Sequence, residues 1–149
     1  MPVKTPICDF KQTAKSFELK STNNEMVTLN NIKGESGTLI MFICNHCPYV
    51  KAVINDIVED CINLRNLGIK TVAICSNDVI NYPDDSFDNM ISFSKNHNFT
   101  FPYLIDETQE VAKNYNAVCT PDFFGYNKNL ELQYRGRIRE LKNLRPVKN

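Results

Sequence analysis

Phe42-Ile43-Cys44-Asn45-His46-Cys47-Pro48-Tyr49-Val50-Lys51 spans the change of pattern that decides how this chain folds. Before it, Thr38-Leu39-Ile40-Met41-Phe42-Ile43 is a continuous apolar run, as in a strand buried on both faces. After it, Val50, Val53, Ile54, Ile57, Val58, Cys61, Leu64 and Leu67 recur at three- and four-residue steps, which is one apolar face of a helix. Gly68 ends that helix as a C-cap, and residues 69–75 read as a second buried strand. Strand, helix, strand is a βαβ crossover, expected to be right-handed. Two cysteines separated by two residues therefore sit where a strand ends and a helix begins.

That junction has chemical consequences. The first turn of a helix carries unpaired backbone N–H groups and the positive end of the dipole. Both stabilise a thiolate. Pro48 fits the first turn, where a missing N–H is tolerated. The spacing lets the two sulfurs meet across one turn, so a disulfide closes and opens with little backbone movement. Cys44, at the loop end, is expected to be the exposed nucleophile, and Cys47, one turn in, the resolving thiol. Exchange then runs through a mixed disulfide on Cys44, which Cys47 attacks. Asn45 and His46 lie between them and tune the couple. A protonated His46 favours the Cys44 thiolate and the reduced form, giving a stronger oxidant than a dithiol bridged by Gly-Pro. The plainer alternative is that His46 is exposed loop. Tyr49 reads equally as a shield over the dithiol and as ordinary packing.

The other common meaning of CxxC is half of a zinc site. A structural zinc takes four ligands, usually with a second Cys or His pair at similar spacing. The chain offers only His46 and His97 and no second CxxC, so no metal is expected, and no other cofactor.

Outward from the centre, residues 17–19 and 26–29 flank the polar Ser21-Thr22-Asn23-Asn24-Glu25 and suggest a hairpin. Lys33-Gly34-Glu35-Ser36-Gly37 reads as a loop. Residues 76–85 read as a polar loop, 86–96 as a helix, 101–105 as a short strand and 108–115 as a short helix. Residues 122–126 and 130–135 read as strands about the turn Asn127-Lys128-Asn129. No internal repeat or linker interrupts this order, so residues 1–149 are expected to form one domain.

The 149 residues carry 17 Lys plus Arg against 17 Asp plus Glu, which argues against a nucleic-acid partner. Arg135, Arg137, Arg139, Lys142 and Arg145 form a local basic stretch, expected to be solvated surface. No run is apolar enough to span a bilayer, and the N-terminus has no apolar signal core, so a cytoplasmic location is expected. In a reducing compartment a paired motif among six cysteines reads as catalytic or metal-binding rather than structural. Cys61, on the helix's apolar face, and Cys75, in a buried strand, read as inert core. Cys8 reads as incidental.

The central stretch resembles the signature of a thioredoxin-like, peroxiredoxin-like family grouped with the alkyl hydroperoxide reductase/thiol-specific antioxidant (redoxin) superfamily. Four further segments are similar, in order: Ile74-Cys75-Ser76-Asn77-Asp78, Tyr82-Pro83-Asp84-Asp85-Ser86, Asp106-Glu107-Thr108-Gln109-Glu110-Val111-Ala112, and Cys119-Thr120-Pro121-Asp122-Phe123-Phe124. The resemblance implies an α/β thioredoxin fold, a central mixed sheet flanked by helices, with an N-terminal β-hairpin extension and a redox-active Cys44–Cys47 disulfide. It implies a thiol-disulfide oxidoreductase acting on protein or small-molecule thiols and disulfides, regenerated by an unidentified reductant. It also places Thr120-Pro121 opposite the dithiol as a cis-proline loop, whose free Thr120 backbone can pair with an extended partner. Cys119, two residues before that proline, is either a third redox thiol or, by preference, a small buried hydrophobe. Asp122 reads as a turn residue or as a group beside the site.

The rival reading is a thiol peroxidase. In the peroxiredoxin pattern Pro-x-x-x-Thr-x-x-Cys, Cys47 takes the peroxidatic position and Cys44 that of the threonine, while Ile40 stands where proline is required. A binding module that merely kept the fold would have no need of two adjacent thiols. The sequence departs from the family at its end, where the short tail after residue 135 leaves room for little more than one helical turn. One sheet face is then expected to be partly uncovered, or covered by a second copy in a homodimer.

Overall fold

The computed structural model describes residues 12–76, 80, 82–117 and 121–137. Cys8, Cys119, Thr120 and the tail from residue 138 lie outside the described residues. So do the isomer of the Thr120–Pro121 bond and the length of any closing helix.

Seven strands form one mixed sheet: β1 Glu18–Ser21, β2 Met26–Thr28, β3 Gly37–Phe42, β4 Ile69–Cys75, β5 Tyr103–Ile105, β6 Asp122–Asn127 and β7 Leu132–Arg137. Their order across the sheet is β2-β1-β5-β4-β3-β6-β7. β3, β4 and β5 run parallel, and β6, β7 and the β1–β2 hairpin add antiparallel strands on the two sides. This is the expected mixed sheet with its N-terminal hairpin.

The apolar run of β3 splits between two faces, because successive side chains point oppositely. Met41 and Ile43 join Ala73, Cys75, Tyr103 and Phe123 in one core. The helix α2, Pro48–Asn66, covers that core with Val50, Ile54, Ile57, Val58 and Cys61, and α3, Phe87–Asn96, adds Met90 and Phe93. Ile40 and Phe42 point to the second core with Val72, Ile74, Leu104 and Phe124. The one-turn helix α1, Leu29–Ile32, and α4, Glu110–Tyr115, lie in this core, and Phe17 from the N-terminal arm joins them. Tyr115 packs against Phe42 and Phe124 at centroid separations of 5.8 and 5.9 Å.

The expectation of a partly uncovered sheet face is corrected here. Ile40, Phe42, Val72, Ile74, Leu104 and Phe124 are all at most 2% exposed. An antiparallel arm and two short helices supply cover that the sequence reading had sought only at the C-terminus.

The α2 boundaries follow from local chemistry. Cys47 is the N-cap in extended conformation, Pro48 takes the first helical position, and Lys51 N–H donates to the Cys47 carbonyl at 3.0 Å. At the other end Gly68 adopts φ +83°, and a Cβ there would meet the Ser36 hydroxyl at 2.7 Å. Both conditions demand glycine. α1 was not expected. Its signal is a capping box in which Thr28 Oγ1 accepts from Asn31 N–H and Asn31 Oδ1 accepts from Thr28 N–H.

Candidate functional site

β3 feeds the site directly. Its ladder continues one residue past its end, with Ile43 N–H donating to the Ile74 carbonyl at 3.0 Å. The chain then leaves the sheet through Cys44, Asn45 and His46 and enters α2 at Cys47 and Pro48. Cys44 and Cys47 are both thiols and both belong to the core beneath α2. Cys44 is 1% exposed and Cys47 is 7% exposed. This corrects the expectation of an exposed Cys44. It follows directly on the buried strand β3, and the turn at Asn45 and His46 is hydrogen-bonded to another loop.

That other loop is the 3-10 turn Pro83–Asp85. It presents Asp85, which is wholly buried, to the dithiol segment. Asp85 Oδ1 accepts the backbone N–H of Asn45 at 2.7 Å and that of His46 at 3.3 Å. Asp85 Oδ2 lies 2.6 Å from His46 Nδ1. A carboxylate can only accept, so His46 Nδ1 carries the proton. The imidazole stacks on Tyr82, with ring centroids 4.9 Å apart and planes inclined by 4°. Its side chain is 29% exposed and forms the open side of the cluster.

Asn45 is fixed from two directions. Its amide donates to the Asp84 carbonyl at 3.0 Å, and its Oδ1 accepts from the Tyr103 hydroxyl at 2.8 Å. Burial pushes the Tyr103 phenol well above its ordinary range, and the nearby Cys75, Cys44 and Asp85 push it further. The phenol therefore stays protonated and available as a donor. Asn45 is itself buried, so the residue expected to tune the couple is a bracket between β5 and the Asp84–Asp85 turn. Tyr49 is 69% exposed, which removes the packing alternative for it.

The Cys44 sulfur, a His46 ring nitrogen and an Asp85 carboxylate oxygen all lie within 4.8 Å of one another. Sequence reasoning missed Asp85, Tyr82 and Tyr103. The first two lay in a segment already noted for its resemblance, but no role was attached to them. Cys61, as expected, lies in the core: burial pushes its thiol up to about 11, with Thr71 as hydrogen-bond partner opposing and Asp60 adding to the shift.

Pro121 is buried and directly precedes β6, whose first residue Asp122 pairs with Phe42 at the end of β3. The register carries Pro121 to the end of the strand that leads into Cys44. Asp122 is the first residue of β6 and not a turn residue. Its carboxylate accepts from the Arg135 guanidinium at 3.0 Å, deep in the protein. The same guanidinium donates to the Asn116 carbonyl at 2.6 Å and lies over the Phe124 ring at 4.6 Å. Arg135 was expected among solvated basic residues, yet its side chain is 5% exposed. The reason is its place in β7, beside a buried acid.

Residues 10–141 match the AhpC/TSA family, and the chain belongs to it. Among solved structures, an uncharacterized conserved protein from Geobacillus kaustophilus is 42% identical with a TM-score of 0.88, over 93% of this chain and 74% of that one. A hypothetical protein from Sinorhizobium meliloti 1021 is 32% identical with a TM-score of 0.85, over 89% of this chain and 72% of that one. The thioredoxin domain of a thiol-disulfide oxidoreductase from Bacteroides vulgatus shares the fold, with a TM-score of 0.72 at 13% identity over 91% of this chain and 94% of that domain. No curated protein matches the chain.

Proposed function

We propose that the chain is a thiol-disulfide oxidoreductase that cycles a Cys44–Cys47 disulfide. The observation that carries this reading is the placement of two thiols across the strand-to-helix junction, with Cys47 as the helix N-cap and a His46–Asp85 pair beside Cys44. In the reducing direction the Cys44 thiolate attacks one sulfur of a client disulfide. A Cys44–client bond forms, and the second client sulfur leaves as a thiolate that takes up a proton. Cys47 then attacks the Cys44 sulfur and expels the first client sulfur. Two electrons pass to the client, and Cys44–Cys47 is left oxidised until an external dithiol reverses the steps. The His46 ring, oriented by Asp85, stabilises the thiolate at Cys44. The low exposure of both cysteines means a client must engage the His46 and Tyr49 side, where the site opens.

A second reading rests on one observation: Cys47 is the more exposed of the two residues. As a peroxidatic thiolate it would attack a hydroperoxide, giving an alcohol and a Cys47 sulfenic acid. Cys44 would then displace water to close the same disulfide. The deciding experiment is equilibration across graded glutathione redox buffers, with thiol trapping and disulfide mapping by mass spectrometry. A reversible two-electron Cys44–Cys47 couple supports the oxidoreductase. A Cys47 sulfenic acid trapped in Cys44→Ser after hydroperoxide, with a parent chain that closes the pair with hydroperoxide but not with disulfides, replaces it with the peroxidase.

A further inference from the structure

We infer that Cys44, His46 and Asp85 form a metal-binding site that takes a zinc ion and thereby caps the dithiol. The sequence argued against zinc by counting cysteines and histidines, and that count omitted a carboxylate lying far along the chain. The fold supplies it. Sulfur, imidazole nitrogen and carboxylate oxygen are the three donor types that zinc accepts, and three protein ligands with one open position is the pattern of an open rather than a closed structural site.

The donors are already gathered within 4.8 Å of one another. Zinc–ligand bonds of about 2.0–2.3 Å require tetrahedral donors to sit roughly 3.3–3.7 Å apart, so Cys44 must close slightly and the 2.6 Å His46–Asp85 contact must open by less than about 1 Å. The half-open His46 ring has room for that shift, whereas Asp85 is held in place. Asp85 is also prepared as a ligand. Its Oδ1 is occupied by the Asn45 and His46 N–H groups, which orients the carboxylate and leaves Oδ2 facing the imidazole. Such outer contacts are what hold a ligating carboxylate in place. Binding replaces protons: the one on the Cys44 sulfur leaves, as does the one between His46 Nδ1 and Asp85 Oδ2. No electrons move. With its sulfur bound, Cys44 can attack neither a disulfide nor an alkylating reagent until the metal is removed.

The inference shares residues with the proposed redox site but is read on metal binding, so it stands or falls separately from turnover. The test is calorimetric titration of the full reduced chain with zinc alone, under anaerobic conditions, with cobalt as spectroscopic stand-in. The expected result is one ion per chain, protection of Cys44 from alkylation, and a sulfur-to-cobalt charge-transfer band that disappears in Cys44→Ser. Asp85→Asn and His46→Ala should each weaken binding by at least about 10–100-fold, the loss typical even of a supporting contact. Cys47→Ser should bind as the parent does. His46→Ala decides the question if Asp85→Asn fails to fold, because the partly open imidazole is not core. Absence of zinc binding by the folded, reduced chain overturns the inference. So does binding that survives both Asp85→Asn and His46→Ala but is lost in Cys47→Ser, since the ion would then sit on the two sulfurs alone.

Discussion

Asp85 and His46, thirty-nine residues apart in sequence, meet at 2.6 Å through Oδ2 and Nδ1, and Asp85 also accepts the backbone N–H of His46. One carboxylate thus sets both the path of the chain between the two cysteines and the protonated nitrogen of the ring beside them. Asp85→Asn keeps an acceptor for the backbone but removes the negative charge that holds the His46 ring beside Cys44. The reduced form loses support, so the dithiol should become more reducing. A charge-assisted hydrogen bond of roughly 1.5–3 kcal/mol corresponds to a fall on the order of 30–60 mV. Equilibration with glutathione measures it; an unchanged midpoint would mean that Asp85 only shapes the loop.

The order of attack separates the two functional readings. With the resolving thiol removed, Cys47→Ser should accumulate a stable mixed disulfide at Cys44 when offered a disulfide-bonded peptide, and Cys44→Ser should not. Intact-mass analysis after acid quenching reads the adduct. The opposite pattern would make Cys47 the nucleophile.

Tyr103→Phe removes a single hydroxyl, the donor to Asn45 Oδ1 at 2.8 Å, and leaves that buried oxygen unsatisfied. The expected cost is about 1–3 kcal/mol in urea unfolding, with an unchanged m-value. Faster alkylation of Cys44 should accompany it, because the segment between the cysteines loses one of its brackets.

Arg135→Met leaves the Asp122 carboxylate buried without its cation and should cost about 3–5 kcal/mol. Replacing both partners, as in Asp122→Leu with Arg135→Met, should recover much of that loss, since two apolar groups strand no charge. Thermal and urea unfolding of the two variants provide the comparison. Equal stability of the single and double variants would contradict the buried-pair account.

The Cys61 thiol should make itself felt in alkaline solution. Its folded-state value of about 11 lies above the unfolded value of 9.0. The native state therefore holds the proton more tightly, and stability falls as pH rises from 9.0 to about 11. The two-unit difference amounts to about 2–3 kcal/mol. Cys61→Ala should flatten that part of the stability profile relative to the parent, while the tyrosines contribute equally to both. Parallel profiles would show that the burial of Cys61 does not bear on its titration.

The parts of the fold that rest on burial pattern were legible in the sequence. β3, α2 and β4 were each foreseen to within about two residues, because an apolar run and an apolar helical stripe each admit one placement against a sheet. α1 was not foreseen, since four residues carry no period and its Thr28–Asn31 box uses Asn in place of the usual acid. The dithiol was equally plain, and its setting was not. Asp84 and Asp85 look alike as neighbours in a polar loop, yet only Asp85 turns inward, where two backbone N–H groups need an acceptor. Tyr103 reads simply as a strand residue, and its hydroxyl partner lies 58 positions away. Arg135 reads as surface until the β6–β7 pairing brings it to Asp122. Burial pattern reports which side of an element faces inward, whereas polar partnerships formed across the fold leave no local trace.

The Arg135 guanidinium grips the Asn116 carbonyl on one side of residues 118–120 and the Asp122 carboxylate on the other. One guanidinium thus fastens the end of one element to the beginning of the next, like a single hook through two loops. Asn116, just past α4, and Asp122, at the start of β6, therefore cannot drift apart independently, and the β3–β6 pairing that ends beside Cys44 inherits that stiffness.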